Sequence, residues 1–201
     1  ITNYKKSFNY IKKIKPKFII HAAALSRPMS IHDKNINKSI GINIIGTCNI
    51  VKICSIFKIK LIFFSTNYVY PSKSGIYNEN DSLLPRNTYA WSKLGAESAV
   101  QMYKNSLILR ICMTEKPFVH KKAFANMKTN FMFQENLAKN LYKLINLKGI
   151  INVGGKIQSV YNFAKKYNPQ VKKIFASKSQ QKYFPLNSTM NISKFKKIIK
   201  K

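Results

Sequence analysis

The sequence predicts an α/β fold, a Rossmann-like parallel sheet with helices on both faces and a small C-terminal part. Three observations lead there. Short apolar runs at 17–25, 59–65, 106–112 and 149–155 read as buried strands. Helical periodicity fills the stretches between them, giving the β-α-β-α-β-α-β order of a parallel sheet with helical crossovers. Polar residues gather just past the first three strands, in HAAALSRP, FSTNYVY and RICMTEKPF, where such sheets bind ligands.

Each element has its own signal. YKKSFNYIKKIK places Tyr4, Phe8, Ile11 and Ile14 on one helical face, and Pro16 stops the helix. KFIIHAAAL (17–25) is a strand ending in small residues. INKSIGINIIGTCNIVKICSIFK sets Ile40, Ile44, Cys48, Val51 and Ile56 on one expected face. IKLIFFS (59–65) is a strand, TYAWSKLGAESAVQMYK (88–104) a helix, and SLILRIC (106–112) a strand. FQENLAKNLYKLINLK (133–148) is an amphipathic helix with a core-facing stripe, and GIINVGG (149–155) a strand and turn. SVYNFAKKY and NISKFKKIIK read as short helices. The expected division is 1–112, a partial Rossmann-like domain, and 113–201, a smaller segment folded onto it.

The charge of +30 asks for a polyanion, but only three of the 36 basic residues are Arg. Arg is the residue that grips phosphates and base edges bidentately. The lysines are spread along the chain, as drift toward Lys, Asn and Ile gives. Nonspecific polyanion binding at low salt is expected, and nucleic-acid binding as the main function is not. Cys48, Cys54 and Cys112 sit in apolar surroundings and read as reduced core residues. No Cys/His spacing points to a metal. No signal peptide and no apolar run of bilayer-spanning length stand out, so a cytoplasmic protein without a membrane partner is expected.

Tyr89 and Lys93, four apart on a helix, share a face. A nearby ammonium stabilises a phenolate and lowers its pKa. A Ser or Thr hydroxyl from an adjacent strand end can bond the same substrate oxygen. Together they suit proton transfer at a carbonyl or alcohol oxygen while hydride moves at carbon. The spacing alone is weak, for Tyr161 and Lys165 share it with no such strand end before them. His21 reads as structural. His32-Asp33 lacks a nucleophile motif nearby. Arg27 is placed to hold a phosphate, or to form a surface ion pair. Glu79 and Asp81 read as capping and loop-ordering residues.

The neighbours of Tyr89 carry a resemblance. FIIHAAALSRP, GINIIGTCNIVKIC, LIFFSTNYVY, GIYNENDSLLPRNTYAWSKLGAE, LILR and INVGG match, in order, motifs of the extended short-chain dehydrogenase/reductase family acting on nucleotide sugars. STNYVY is most similar to the S-T-D-Y-V-F of the dTDP-4-dehydrorhamnose reductase branch. The resemblance covers roughly 16–155. It implies Thr66 as the hydroxyl of a triad, Tyr89 as proton donor and Lys93 as its electrostatic partner and nicotinamide-ribose anchor. It implies Ala22, Ala23, Ala24 and Ser65 along an NADP or NAD cofactor. Asn43 either supports the site from the helix behind or is a satisfied buried amide. Arg27 and Asn67 are candidates for the substrate side.

Three departures bear on the chemistry. No G-x-x-G-x-x-G turn is present, and its place in the family pattern lies upstream of Ile1. VGG at 153–155 lacks the spacing to replace it. Asn67 stands where many members have Asp, which disfavours 4,6-dehydration and leaves reduction and epimerisation open. The stretch RICMTEKPFVHKKAFAN is short beside the family's substrate loop. The expected activity is NAD(P)H-dependent reduction of a 4-keto deoxysugar nucleotide. A nucleotide-sugar epimerase, or a non-catalytic binding protein on a truncated fold, is the alternative. A homodimer is expected by the same resemblance.

Overall fold

The computed structural model describes residues 1–181 and 183–200. In chain order its elements are α1 (Tyr4–Ile14), β1 (Phe18–His21), α2 (Ile31–Lys34), α3 (Ile36–Ser39), a π-helical turn (Ile40–Ile45), α4 (Gly46–Phe57), β2 (Lys60–Thr66), a 3₁₀ turn (Asn67–Val69), α5 (Thr88–Gln101) and β3 (Ser106–Ile111). There follow β4 (Met113–Thr114), β5 (Lys122–Phe124), β6 (Lys128–Thr129), β7 (Met132–Phe133), α6 (Gln134–Asn140) with a 3₁₀ turn (Leu141–Lys143), β8 (Gly149–Val153), β9 (Gln158–Ser159), α7 (Val160–Tyr167), β10 (Lys172–Ile174), α8 (Lys178–Gln181) and α9 (Ser193–Ile199).

The four strands read from the sequence form one sheet, in the order β1-β2-β3-β8. It is the parallel, helix-flanked sheet of a Rossmann-like α/β fold. β1 runs parallel to β2, with Phe18 opposite Lys60 and His21 opposite Phe63. The remaining strands are two- and three-residue pairs, β10 with β5, β4 with β7 and β6 with β9. They are too short to carry a period-two signal.

Two compact units divide the chain. The first comprises Ile1–Thr66, Thr88–Leu109 and Leu147–Ile150, the second Asn67–Asn87, Arg110–Asn146 and Ile151–Lys201. In the first, Ile11, Ile50, Ile53, Cys54, Leu61, Phe63, Ala96, Val100 and Ile108 form the core. The helix ends there follow local chemistry. Asn3 caps α1 by accepting from the Lys6 N–H at 2.9 Å. Lys15 (φ 49°) and Lys58 (φ 56°) end α1 and α4 in the left-handed conformation. In the second unit, Phe118, Ala123, Phe133, Phe163, Ala164 and Val171 form an aromatic core.

Two expectations are corrected. The face assigned to 36–58 is displaced: Ile50, Ile53 and Cys54 are buried, whereas Ile40 and Ile56 are exposed. The first half of the buried face is small and polar, with Ser39, Asn43, Gly46 and Thr47, so a face chosen by its isoleucines falls to one side of it. That same continuous helix, Ile36–Phe57, is long and apolar enough by length and composition to cross a bilayer, contrary to the expectation of no such run. Its inner face packs in the first unit's core. The amphipathic stretch 133–148 is shorter than expected, with α6 giving way to a 3₁₀ turn after Asn140; Leu137 and Leu144 are its buried residues.

The glycines of VGG have a packing role. A Cβ on Gly154 would lie 2.7 Å from the Asn130 carbonyl oxygen, and one on Gly155 would overlap that of Phe131. Gly155 N–H donates to the Asn130 carbonyl at 2.7 Å, so two backbones meet where no side chain fits.

Candidate active site

β2 ends at Thr66, and α5 begins at Thr88, one residue before Tyr89. The Thr66 and Tyr89 side chains share a hydrogen bond. Burial pushes the Tyr89 phenol up from its ordinary value, while that bond and the positive charge of Arg27 pull it down, and burial prevails. The phenol therefore holds its proton at neutral pH, as a proton donor must. The sequence pointed to Lys93 as the charge beside Tyr89. Arg27, itself exposed past the end of β1, adds its positive charge at the phenol.

Lys93 is 3% exposed, and its Nζ lies 4.2 Å from the centroid of the Phe63 ring. Burial brings its pKa down to about 8, against the opposing pull of Glu97. At pH 7 it is still mostly an ammonium. His21, buried at the end of β1, keeps its Nε2 2.9 Å from Thr47 Oγ1. Burial first, then Lys93, lowers its pKa to about 4, so it is neutral and structural.

The supporting residues are tightly engaged. Asn43 lies in the π-helical turn, where its side chain accepts from the Leu25 N–H at 2.8 Å. It donates to the Leu25 carbonyl at 3.0 Å and to Ser92 Oγ at 2.8 Å. Ser92 in turn donates to the Tyr89 carbonyl at 2.8 Å. Asn43 is thus a satisfied buried amide that also ties the loop after β1 to the helix bearing Tyr89. Ser65 donates to Glu97 Oε2 at 2.5 Å. Ala22 and Ala23 are exposed and Ala24 half-buried, so small residues follow β1. Asn67 belongs to the second unit, where its amide donates to Ser188 Oγ at 2.7 Å.

Several residues carry more than the sequence disclosed. His32 is fully buried, with Nδ1 2.7 Å from Ser39 Oγ and its ring 5.2 Å from that of Tyr89. Asp33 accepts from the Thr88 hydroxyl and forms no dyad with it. Ser92 and Glu97 sat inside the quoted helix motif, but spacing alone gave them no partner. Glu79 and Asp81 order the 78–81 turn, as the sequence implied: Glu79 accepts from the Asn152 N–H and Asp81 from that of Asn78. Tyr161 and Lys165 make only a ring–ammonium contact at 6.0 Å. Among the described residues no His/Cys/Asp/Glu group is arranged to hold a metal, and Cys48, Cys54 and Cys112 are free thiols.

A Rossmann-like sheet whose second strand delivers Thr66 to Tyr89, with Lys93 one turn along, defines a protein of the extended short-chain dehydrogenase/reductase group. The chain belongs to the RmlD substrate binding domain family, which matches residues 1–136. It is 32% identical over 102 residues to methionine adenosyltransferase 2 subunit beta of Xenopus laevis, covering 50% of this chain and 30% of that protein. It is 29% identical over 116 residues to dTDP-4-dehydrorhamnose reductase of Aggregatibacter actinomycetemcomitans, covering 57% and 39%. The chain thus spans less than half the length of these curated relatives. Among solved structures, dTDP-4-dehydrorhamnose reductase of Bacillus anthracis in complex with NADP superposes with a TM-score of 0.86 at 23% identity, covering 97% of this chain and 78% of that one.

Proposed function

We propose that the protein reduces the 4-keto group of a deoxysugar nucleotide with NADPH or NADH. The observation that carries this reading is the Thr66–Tyr89 hydrogen bond one helical turn from a buried, charged Lys93. Tyr89 gives its proton to the carbonyl oxygen, and Thr66 holds that oxygen in line. Arg27 lies where it can stabilise the phenolate that remains. The nicotinamide cofactor, when bound, supplies the hydride. The residues present fit its nicotinamide end: Ala22–Ala24 leave room past β1, and Lys93 offers an ammonium to a ribose hydroxyl. The 201 residues contain no glycine-rich phosphate turn. Residues 113–201 are assigned to the substrate side.

Epimerisation uses the same groups but returns the cofactor unchanged, so net NADPH consumption separates the two. A second reading has its own support. The first curated relative is named as a subunit of an adenosyltransferase, which fits a binding protein on this fold. Titration with NADH and NADPH at moderate salt, followed by nicotinamide fluorescence, tests the cofactor site without nonspecific capture by the +30 charge. Saturable binding weakened by Lys93→Ala is expected. Binding that salt alone removes would defeat the proposal.

A further inference from the structure

Glu97 is fully buried, the only one of the six acidic residues placed in the described core. It lies one turn beyond Lys93 on α5, so the two project from one face. Its Oε2 accepts from Ser65 Oγ at 2.5 Å, and its Oε1 from Gln101 Nε2 at 3.3 Å. A carboxylate gripped on both oxygens in the interior has a fixed direction. An ammonium withdrawn from water needs a compensating charge, or it loses its proton. Among the described residues, those shown to act on or touch Lys93 leave one candidate. The Phe63 ring offers only its face, and neutral His21 brings no negative charge. Ser65, at the end of β2, acts on the carboxylate.

We propose that Glu97 is a positioning residue of the site, anchored by Ser65 so that its carboxylate keeps the buried Lys93 ammonium charged and fixed over Phe63. Ser65 then serves the site through Glu97, and not by touching the cofactor. The cationic form gives Lys93 three donors and the charge that strengthens a hydrogen bond to a ribose hydroxyl. Burial alone would take it toward the neutral amine, and Glu97 opposes that. The inference rests on the proposed function for the purpose of Lys93, but its test needs no turnover.

The test is a pH titration of 13Cε-lysine-labelled protein by proton–carbon NMR, without substrate or cofactor. The Lys93 signal is assigned by its loss in Lys93→Met. The wild-type midpoint is expected at about 8. In Glu97→Gln it falls by about one pH unit or more, a tenfold gain in neutral amine at a given pH. Ser65→Ala keeps the carboxylate but loosens it, and the midpoint falls by less in the same direction. A midpoint unmoved in Glu97→Gln overturns the proposal. Should that variant fail to fold, an unmoved midpoint in Ser65→Ala does so. A shifted midpoint in a protein that consumes no NADPH would uphold this inference while the proposed reduction failed.

Discussion

Replacing Asn43 with Ala removes three hydrogen bonds at once, two to the Leu25 backbone and one to Ser92. Asn43 is 1% exposed, so its side chain cannot be replaced by bulk water without opening the helix packing. Each such bond contributes about 1 kcal/mol net, and a partner left unsatisfied costs about 1–3. The Leu25 groups are half-buried and regain some hydration, which holds the sum near ~3 kcal/mol. For a chain of this size that lowers the melting temperature by roughly 6–12 °C. The assay is urea unfolding followed by fluorescence of Trp91, the single tryptophan, which lies on α5 beside Ser92. Because it reports from the same unit as Asn43, the first unit is read directly. A loss below about 1 kcal/mol would refute the claim that Asn43 clamps the loop after β1 to α5.

Other perturbations have defined outcomes. His21 is neutral in the fold, with a pKa near 4 against an ordinary 6.5. Between those values the unfolded chain binds the extra proton, so stability falls as pH drops from about 6.5 toward 4, by at most ~3 kcal/mol from this group. Urea midpoints should therefore decline more steeply with acid in the wild type than in His21→Gln; parallel declines would contradict it. Ile53→Ala empties a fully buried position in the first unit's core and should cost about 2–5 kcal/mol in the same unfolding assay. Gly155→Ala would press a methyl against the Phe131 carbonyl. It should destabilise by about 1–3 kcal/mol by calorimetry, and a neutral effect would show that the two backbones part easily.

The sheet was legible because its four strands are apolar runs separated by helical periods, and because each is long enough to carry a pattern. What the sequence concealed has identifiable causes. The buried face of the helix at 36–57 was hidden because it begins with Ser39, Asn43, Gly46 and Thr47 before Ile50, Ile53 and Cys54, so apolar residues alone mark the wrong side. Strands of two or three residues, such as β4 and β9, give no periodicity at all. At the site, Thr66 and Tyr89 meet as their motifs implied, because a strand end and a helix start were each marked by sequence. Partner choice was not marked: that Arg27 acts on the phenol and Glu97 on Lys93 depends on burial and direction, which spacing does not encode. The His32 ring beside Tyr89 was hidden for the same reason, since fifty-odd residues of sequence separate them.

The most direct test of the central claim is NADPH consumption with a 4-keto deoxysugar nucleotide, comparing the wild type with Tyr89→Phe. The account predicts substrate-dependent oxidation of NADPH by the wild type and a ~10²–10⁴-fold lower rate in the variant, with folding unchanged. Equal rates in the two proteins would contradict the assignment of Tyr89 as proton donor, and no consumption by the wild type would contradict reduction as the activity of this chain.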